Sequence, residues 1–269
     1  MKFYLLIISL GLLSISTLNA AEHNHAKMAK KITNNEATKC IDEAVICAKT
    51  VTTTFAPNGD LWRLWSINQY MYYQVSEDNG NSFGKVQRVN IAPENISARN
   101  ENRPKIAFDQ HKGVYLSWAI SGKKRFTGDI RFSYSNDNGR TFSQPVTINN
   151  DGIVTGHSFN EMIVSPTGDV SIVWLDSRYA YQKRKEGKKT NGSELYLAKG
   201  NPRENSLFTN EALARGTCVC CRIAIDHDEN ANLAIFWRHI FGDNIREFAL
   251  ITLDKSKPEL RKVNQISKD

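Results

Sequence analysis

Past its first eighteen residues the sequence has no apolar run long enough to cross a membrane as a helix. Nowhere do apolar residues keep a helical period over three turns, which excludes a helical bundle. No cysteine stands directly after the opening apolar run, which argues against a bacterial lipid anchor. The densest basic cluster, Lys183-Arg184-Lys185 with Lys188-Lys189, has no aromatic platform interleaved with it. The formal net charge of +7 therefore does not point to nucleic acid, and no nucleic-acid partner is expected. The cluster reads as a solvated loop between two strand-like segments. A positive cleft would also suit a sugar carboxylate, although charge alone does not select one.

What is present begins with an export signal. Lys2 supplies a positive start, Phe3 to Leu18 an almost unbroken apolar run, and Asn19-Ala20-Ala21 small residues for cleavage. The competing reading is a membrane anchor, but the run is short for a span and its flank is a cleavage site. The expected division is a signal peptide over 1–20, a flexible tail over 21–39 and one folded domain over 40–269. A periplasmic or secreted location follows, with no stable membrane span after cleavage. The remaining chain, roughly 250 residues, is ample for one all-β domain.

The chain repeats itself. Four segments share a turn containing Gly, Asn or Asp, then alternating apolar residues, then a Trp. They run from Ala56 to Trp65, Asp109 to Trp118, Ser165 to Trp174 and Asp226 to Trp237, so the Trp positions are separated by 53, 56 and 63 residues. That period fits a four-stranded propeller blade with generous loops. Each repeat carries a short apolar run before its turn, such as Ile106-Ala107-Phe108 or Ile223-Ala224-Ile225. One hairpin cannot bury both its faces alone, which is why such units come in sets. About four blades fit, with Cys40 to Lys49 as a lead-in.

Two octapeptides sharpen the reading. Ser76-Glu77-Asp78-Asn79-Gly80-Asn81-Ser82-Phe83 and Ser135-Asn136-Asp137-Asn138-Gly139-Arg140-Thr141-Phe142 both follow Ser-x-Asp-x-Gly-x-x-Phe, 59 residues apart. The Asp accepts backbone N–H groups across a turn, Asn-Gly supplies positive φ angles, and Phe plugs the turn onto its blade. The motif resembles the Asp box, or BNR repeat, of sialidases and related propellers. The fold class is therefore all-β, a sialidase-like β-propeller. In the resembling families these boxes lie away from the substrate. Ser76, Asp78, Gly80, Phe83, Ser135, Asp137, Gly139 and Phe142 are accordingly expected to serve folding. The third blade has a worn counterpart around Tyr196 to Phe208. Six blades are usual in such propellers, so a fragment of a six-bladed ring is the expectation favoured over a smaller ring.

Inner strands line the axis of a propeller, so the repeat says which residues converge there. Superposing Ala107 on Ala224 and Asp109 on Asp226 sets Arg103 opposite Cys220 and Lys105 opposite Arg222. His157 to Glu161 fall at the same level in the third blade. Glu101, Arg103, His157, Glu161, Cys218, Cys220, Cys221 and Arg222 are thus expected at one channel mouth, with Glu101, Arg103, His157, Glu161 and Arg222 as ligand contacts. Of five cysteines, three lie in Cys218-Val219-Cys220-Cys221. Strand alternation would put Cys218 and Cys220 on one face and Cys221 on the other. Cys218, Cys220 and Cys221 with His157 form a candidate soft-metal site, for Cu or Zn. The rival is a disulfide framework in which Cys40 or Cys47 pairs with the cluster, or Cys40 with Cys47. An odd count leaves one thiol over. His23, His25 and Met28 could add copper-type ligands from the tail.

The runs Glu101 to Ala107, Phe126 to Ser133, Cys218 to Ala224 and Trp237 to Phe241 resemble a group of bacterial exported sialidase-like proteins with a Cys-x-Cys-Cys-Arg segment. The likeness covers most of the mature chain, and those relatives continue for further blades. Sialidase chemistry implies a Tyr nucleophile with a Glu partner, an Asp acid/base and three Arg residues clamping a carboxylate. Arg103, Arg131, Arg178, Arg222, Arg238 and Arg246 are the Arg candidates. The Arg-Ile-Pro segment that opens many sialidases is missing, and no Tyr–Glu pair can be placed. Asp176-Ser177-Arg178-Tyr179 faces either the mouth or a salt-bridged surface turn. The leading expectation is a propeller that binds or hydrolyses a glycan or other anionic small ligand at the mouth, as an exo-sialidase if an enzyme. The alternatives are a periplasmic metal-binding or thiol-redox protein, and a structural interaction module.

Overall fold

The computed structural model describes residues 45–99, 101–206, 208–254 and 263–266. The expected signal peptide, the tail with His23, His25 and Met28, and Cys40 lie outside the described residues. The described strands fall into four antiparallel blades in chain order. Blade one holds β1 (Val51–Phe55), β2 (Leu61–Ile67), β3 (Tyr70–Ser76) and β4 (Gln87–Arg88). Blade two holds β5 (Lys105–Phe108), β6 (Val114–Ser121), β7 (Gly128–Ser135) and β8 (Val146–Thr147). Blade three holds β9 (His157–Val164), β10 (Val170–Asp176), β11 (Ser193–Gly200) and β12 (Thr209–Thr217). Blade four holds β13 (Ile223–His227), β14 (Leu233–Phe241), β15 (Ile245–Leu253) and β16 (Asn264–Gln265). The protein is a β-propeller, four blades of which lie among the described residues. Its inner strands β1, β5, β9 and β13 touch in that order. Blades three and four are also joined by one pair, Thr217 with His239.

Period-two alternation builds the core. On β6, Val114, Leu116 and Trp118 pack towards blade one, against Trp62, Leu64 and Met71. The intervening Tyr115 and Ala119 pack towards blade three, against Ile172 and Trp174. Val173, Leu175, Leu195 and Leu197 repeat the pattern against Ile235, Trp237 and Ile251 of blade four. Each middle strand thus serves two inter-blade cores. Trp62, Trp65, Trp118, Trp174 and Trp237 are all essentially buried. Burying side chains of this size contributes on the order of 2–3 kcal/mol apiece, and a lone blade would leave them wet.

The two octapeptides form the same turn. Ser76 Oγ donates to Asp78 Oδ1 at 2.7 Å and accepts from the Gly80 N–H at 2.7 Å. Asp78 Oδ1 accepts from the Ser82 N–H at 2.8 Å. Ser135, Asp137, Gly139 and Thr141 reproduce these bonds at 2.6, 2.9 and 2.9 Å. Asn79-Gly80 and Asn138-Gly139 take positive φ, at 57° and 90° and at 60° and 84°. The second turn also clasps blade one: Tyr73 donates to the Gly139 carbonyl at 2.7 Å, and Phe142 packs edge-on against Tyr73. Arg63 lies over the Phe83 ring, 3.6 Å from its centre. The worn counterpart in blade three keeps this plug, with Phe208 edge-on against Phe132 of blade two. Arg203 beside it reaches Asp109 and Tyr115.

The basic cluster corrects the sequence reading. Its first half is not a loop but a short helix, α1 (Arg178–Lys185), entered where the Arg178 N–H bonds Asp176 Oδ1 at 2.8 Å. Ala, Gln, Lys and Arg favour helix, and Gly187 at φ +70° follows its end.

Candidate functional site

Antiparallel blades give the propeller two unlike faces. The turn after each inner strand and the turn after the third strand fall on one face, and the octapeptide turns sit there. The starts of the inner strands and the connections between second and third strands fall on the other. A cleft of about 1040 Å³ opens on this second face. It is lined from blade two by Glu101, Asn102 and the loop Gly122 to Thr127, from blade three by Gly156 to Phe159, and from blade four by Val219 and Cys220. Cross-blade bonds hold the rim. The Phe159 N–H donates to Asn102 Oδ1 at 2.8 Å, and Arg222 pairs with Glu101 at 2.9 Å.

Some expected residues therefore meet. Glu101, His157 and Cys220 share the cleft lining, and Arg222 reaches it through Glu101. Arg103 and Glu161 do not line it. Glu161 is taken up by the buried Lys105 ammonium at 2.7 Å. For Arg103 the cause is a two-residue error in superposition. Trp237 faces Ile223, whereas the register pairing Lys105 with Ser117 carries Pro104 opposite Trp118. The blade-four hairpin is longer, so aligning on the Asp before its turn slides the inner strand. In true register Glu101 matches Cys220 and Arg103 matches Arg222.

His157 is also corrected. It is 1% exposed, with Nδ1 at 2.7 Å from the Gly128 carbonyl and Nε2 at 3.1 Å from Asp151 Oδ2. Asp176 lies 3.6 Å from Nε2. Both ring nitrogens are engaged, so this imidazole is not free to complete a cysteine metal site. Asp176 is wholly buried and forks with Arg178, whose Nη2 lies at 2.8 Å, while Trp174 Nε1 donates to it at 2.8 Å. Burial works against the Arg178 charge, but Asp176 and Asp151 hold its pKa above the usual value. The Asp176–Arg178 segment is thus a buried ion pair beneath the cleft floor, not a surface turn. Arg131 is likewise committed, to Glu94 at 2.8 Å and to the Pro145 carbonyl. Arg238 and Arg246 bond neighbours on their own hairpin.

The cysteines contradict two expectations. Cys218 to Arg222 form a turn between β12 and β13 rather than a strand, so the expected alternation of faces fails. Cys218 and Cys221 are disulfide-bonded across that turn, with Cα atoms 5.6 Å apart. They are not thiolates in this state, so the expected metal set does not stand as drawn. Cys47 is also disulfide-bonded, and not to the cluster's free thiol, Cys220, which is exposed and lies on the cleft. Turn geometry explains the pairing, because residues three apart in a turn approach closely.

Sequence reasoning missed the cleft's most distinctive part. Lys123, Lys124 and Arg125 follow one another on the β6–β7 loop, with Arg99 also on the lining. All four are exposed, and none has a carboxylate partner among the described residues. Phe126 follows them, 82% exposed and at φ +60°. The loop is held by the Gly122 N–H on the Thr127 carbonyl at 2.7 Å and the Gly128 N–H on the Thr155 carbonyl at 2.9 Å. A non-glycine residue at this φ is strained and persists only when its surroundings impose it. The signal was available: second-to-third-strand loops share the face of the inner-strand starts, and this one places an aromatic beside three cations.

A smaller hollow of about 310 Å³ adjoins at Ser193, lined by Tyr179, Glu194 and Arg215 among others. Burial raises the pKa of Glu194, opposed by Arg215 at 3.0 Å. Arg215 also lies over the Tyr179 ring, 4.2 Å from its centre.

No protein-family model matches the sequence, and no curated protein does. Solved structures do match in fold. The α-L-arabinofuranosidase Arb93A of Fusarium graminearum, solved with an iminosugar inhibitor, is 12% identical with a TM-score of 0.58, over 84% of this chain and 68% of that one. The α-L-arabinanase of Penicillium chrysogenum, solved with arabinobiose, is 16% identical with a TM-score of 0.55, over 84% and 68%. The intramolecular trans-sialidase of Ruminococcus gnavus, solved with oseltamivir carboxylate, is 9% identical with a TM-score of 0.55, over 82% and 71%. At these identities the likeness is one of fold.

Proposed function

We propose that this protein is an exported glycan-binding propeller whose cleft takes a carbohydrate carrying acidic groups. The observation that carries the reading is Phe126, exposed on the cleft beside Lys123, Lys124, Arg125 and Arg99. A sugar ring stacks its C–H face on an aromatic, here one whose ring has the Arg125 guanidinium 4.5 Å from its centre, and cations without carboxylate partners meet its carboxylates or sulfates. The volume suits a short oligosaccharide. The fold neighbours, solved with arabinobiose, an iminosugar and oseltamivir carboxylate, accord with a carbohydrate reading. The test is a panel of neutral and acidic oligosaccharides, with binding measured at two salt concentrations. Acidic members should bind and weaken with salt, and Phe126→Ala should lose them. Equal binding of neutral members, or none of any kind, would reject the reading.

Hydrolysis is the second reading. Glu101 is the one carboxylate on the cleft lining among the described residues, and a two-carboxylate mechanism needs another. The Tyr route implied by the sialidase resemblance has candidates in the adjoining hollow: Tyr179 as nucleophile, Glu194 as its partner and Arg215 as a clamp. Release of sugar from a sialoside, abolished by Tyr179→Phe, would support an exo-sialidase-type activity. Binding without release would leave a lectin-like protein.

A further inference from the structure

We propose that the turn Cys218-Val219-Cys220-Cys221, once its disulfide is reduced, binds Cu(I) through three thiolates. The inference does not rest on the glycan reading. The sulfurs of Cys218, Cys220 and Cys221 all lie within 4.8 Å of one another, and those of Cys218 and Cys220 are 4.0 Å apart. A metal–thiolate bond of about 2.3 Å sets sulfurs about 4 Å apart around a shared ion. Opening the Cys218–Cys221 bond therefore needs only a small movement within the turn. Cys218 is buried, and its N–H is tied to the Arg238 carbonyl at 3.0 Å. Cys220 is exposed on the cleft. One end of the site is fixed and the other is open to an arriving ion.

The donor set chooses the metal. Among the described residues no imidazole or carboxylate joins these three sulfurs, and His157 belongs to a separate cluster with Asp151 and Asp176. Zinc seeks a fourth ligand in a tetrahedron. A purely thiolate set of three suits soft Cu(I), which accepts trigonal coordination. Three thiolates around one Cu(I) leave excess negative charge, and the adjacent Arg222 guanidinium, shared with Glu101 at 2.9 Å, offsets only part of it.

The chemistry balances with a dithiol reductant. It gives two electrons and two protons, the Cys218–Cys221 bond breaks, two thiols form and the reductant becomes a disulfide. Cu(I) then displaces the thiol protons to solvent and keeps its oxidation state.

The test uses the purified full chain, reduced and desalted without oxygen, with Cu(I) delivered from a chromophoric chelator. The reduced protein should take one Cu(I) per chain, with X-ray absorption showing three sulfur neighbours. The oxidised protein should bind it about 100-fold more weakly or worse, and reduced Cys220→Ser should fall by a similar factor. Reduction also opens the disulfide of Cys47, so Cys218→Ser/Cys221→Ser is the control, with its fold checked by circular dichroism. Full Cu(I) binding by that control, equal binding by oxidised and reduced chains, or undiminished binding by Cys220→Ser would overturn the proposal. So would a reduced site that prefers Zn(II).

Discussion

On one face of the propeller Ser76 and Ser135 each make three local hydrogen bonds inside a turn that repeats. On the other face Lys123, Lys124 and Arg99 carry charge with no carboxylate beside them among the described residues, on segments that do not repeat. The first face satisfies its polar groups internally and spends its aromatic residues on the neighbouring blade. The second leaves an aromatic and several cations facing solvent. Repetition therefore marks what holds the blades together, and departure from repetition marks where the chain is free to meet a ligand.

The largest effect should come from the shared core. Trp62→Ala opens the space between blades one and two and should cost about 3–5 kcal/mol in denaturant unfolding. An unchanged midpoint would mean that the blades are held by something other than that core. Next is Gly139→Ala. An added Cβ would meet the Trp62 ring at 2.6 Å, and the backbone sits at φ +84°. A loss of about 1–3 kcal/mol is expected, with no change in ligand affinity.

These two sites show what the sequence made legible. Trp65, Trp118, Trp174 and Trp237 and the two Ser-x-Asp-x-Gly-x-x-Phe turns recur because every blade must bury the same face and cap the same hairpin. A short-range pattern therefore reports a long-range architecture. The cleft was legible only in part. Glu101, His157 and Cys220 were placed on it, but Arg103 was set there by aligning on the Asp before the turn, although the Asp-to-Trp spacing is longer in blade four. Glu161 was set there by its place on the third inner strand, where Lys105 takes it up. Lys123 to Phe126 escaped notice because a loop has no period to read. The Cys218–Cys221 pairing escaped because a turn was taken for a strand.

Acid sharpens the contrast between the faces. Side-chain bonds from Ser76 and Ser82 hold the Asp78 pKa down from 3.8 to about 2, and Ser135 and Thr141 do the same for Asp137. A depressed carboxylate contributes stability that is present above its unfolded value and lost as pH falls through the folded one. Asp78→Asn with Asp137→Asn should therefore melt below the wild type at neutral pH. The gap should close between about pH 4 and pH 2. A gap independent of pH would show that the turns do not depend on these charges. On the opposite face, Lys124→Ala should change stability by no more than about 0.5 kcal/mol while weakening an acidic oligosaccharide.

The most direct measurement sets one face against the other. Lys123→Ala/Lys124→Ala/Arg125→Ala and Asp78→Asn/Asp137→Asn are titrated in parallel with one acidic oligosaccharide by calorimetry, each confirmed folded by its melting curve. The account predicts that the triple variant keeps the wild-type melting temperature and loses binding, while the double variant melts lower and binds as the wild type does. Binding retained by the first and lost by the second would place the functional face on the turns and contradict it.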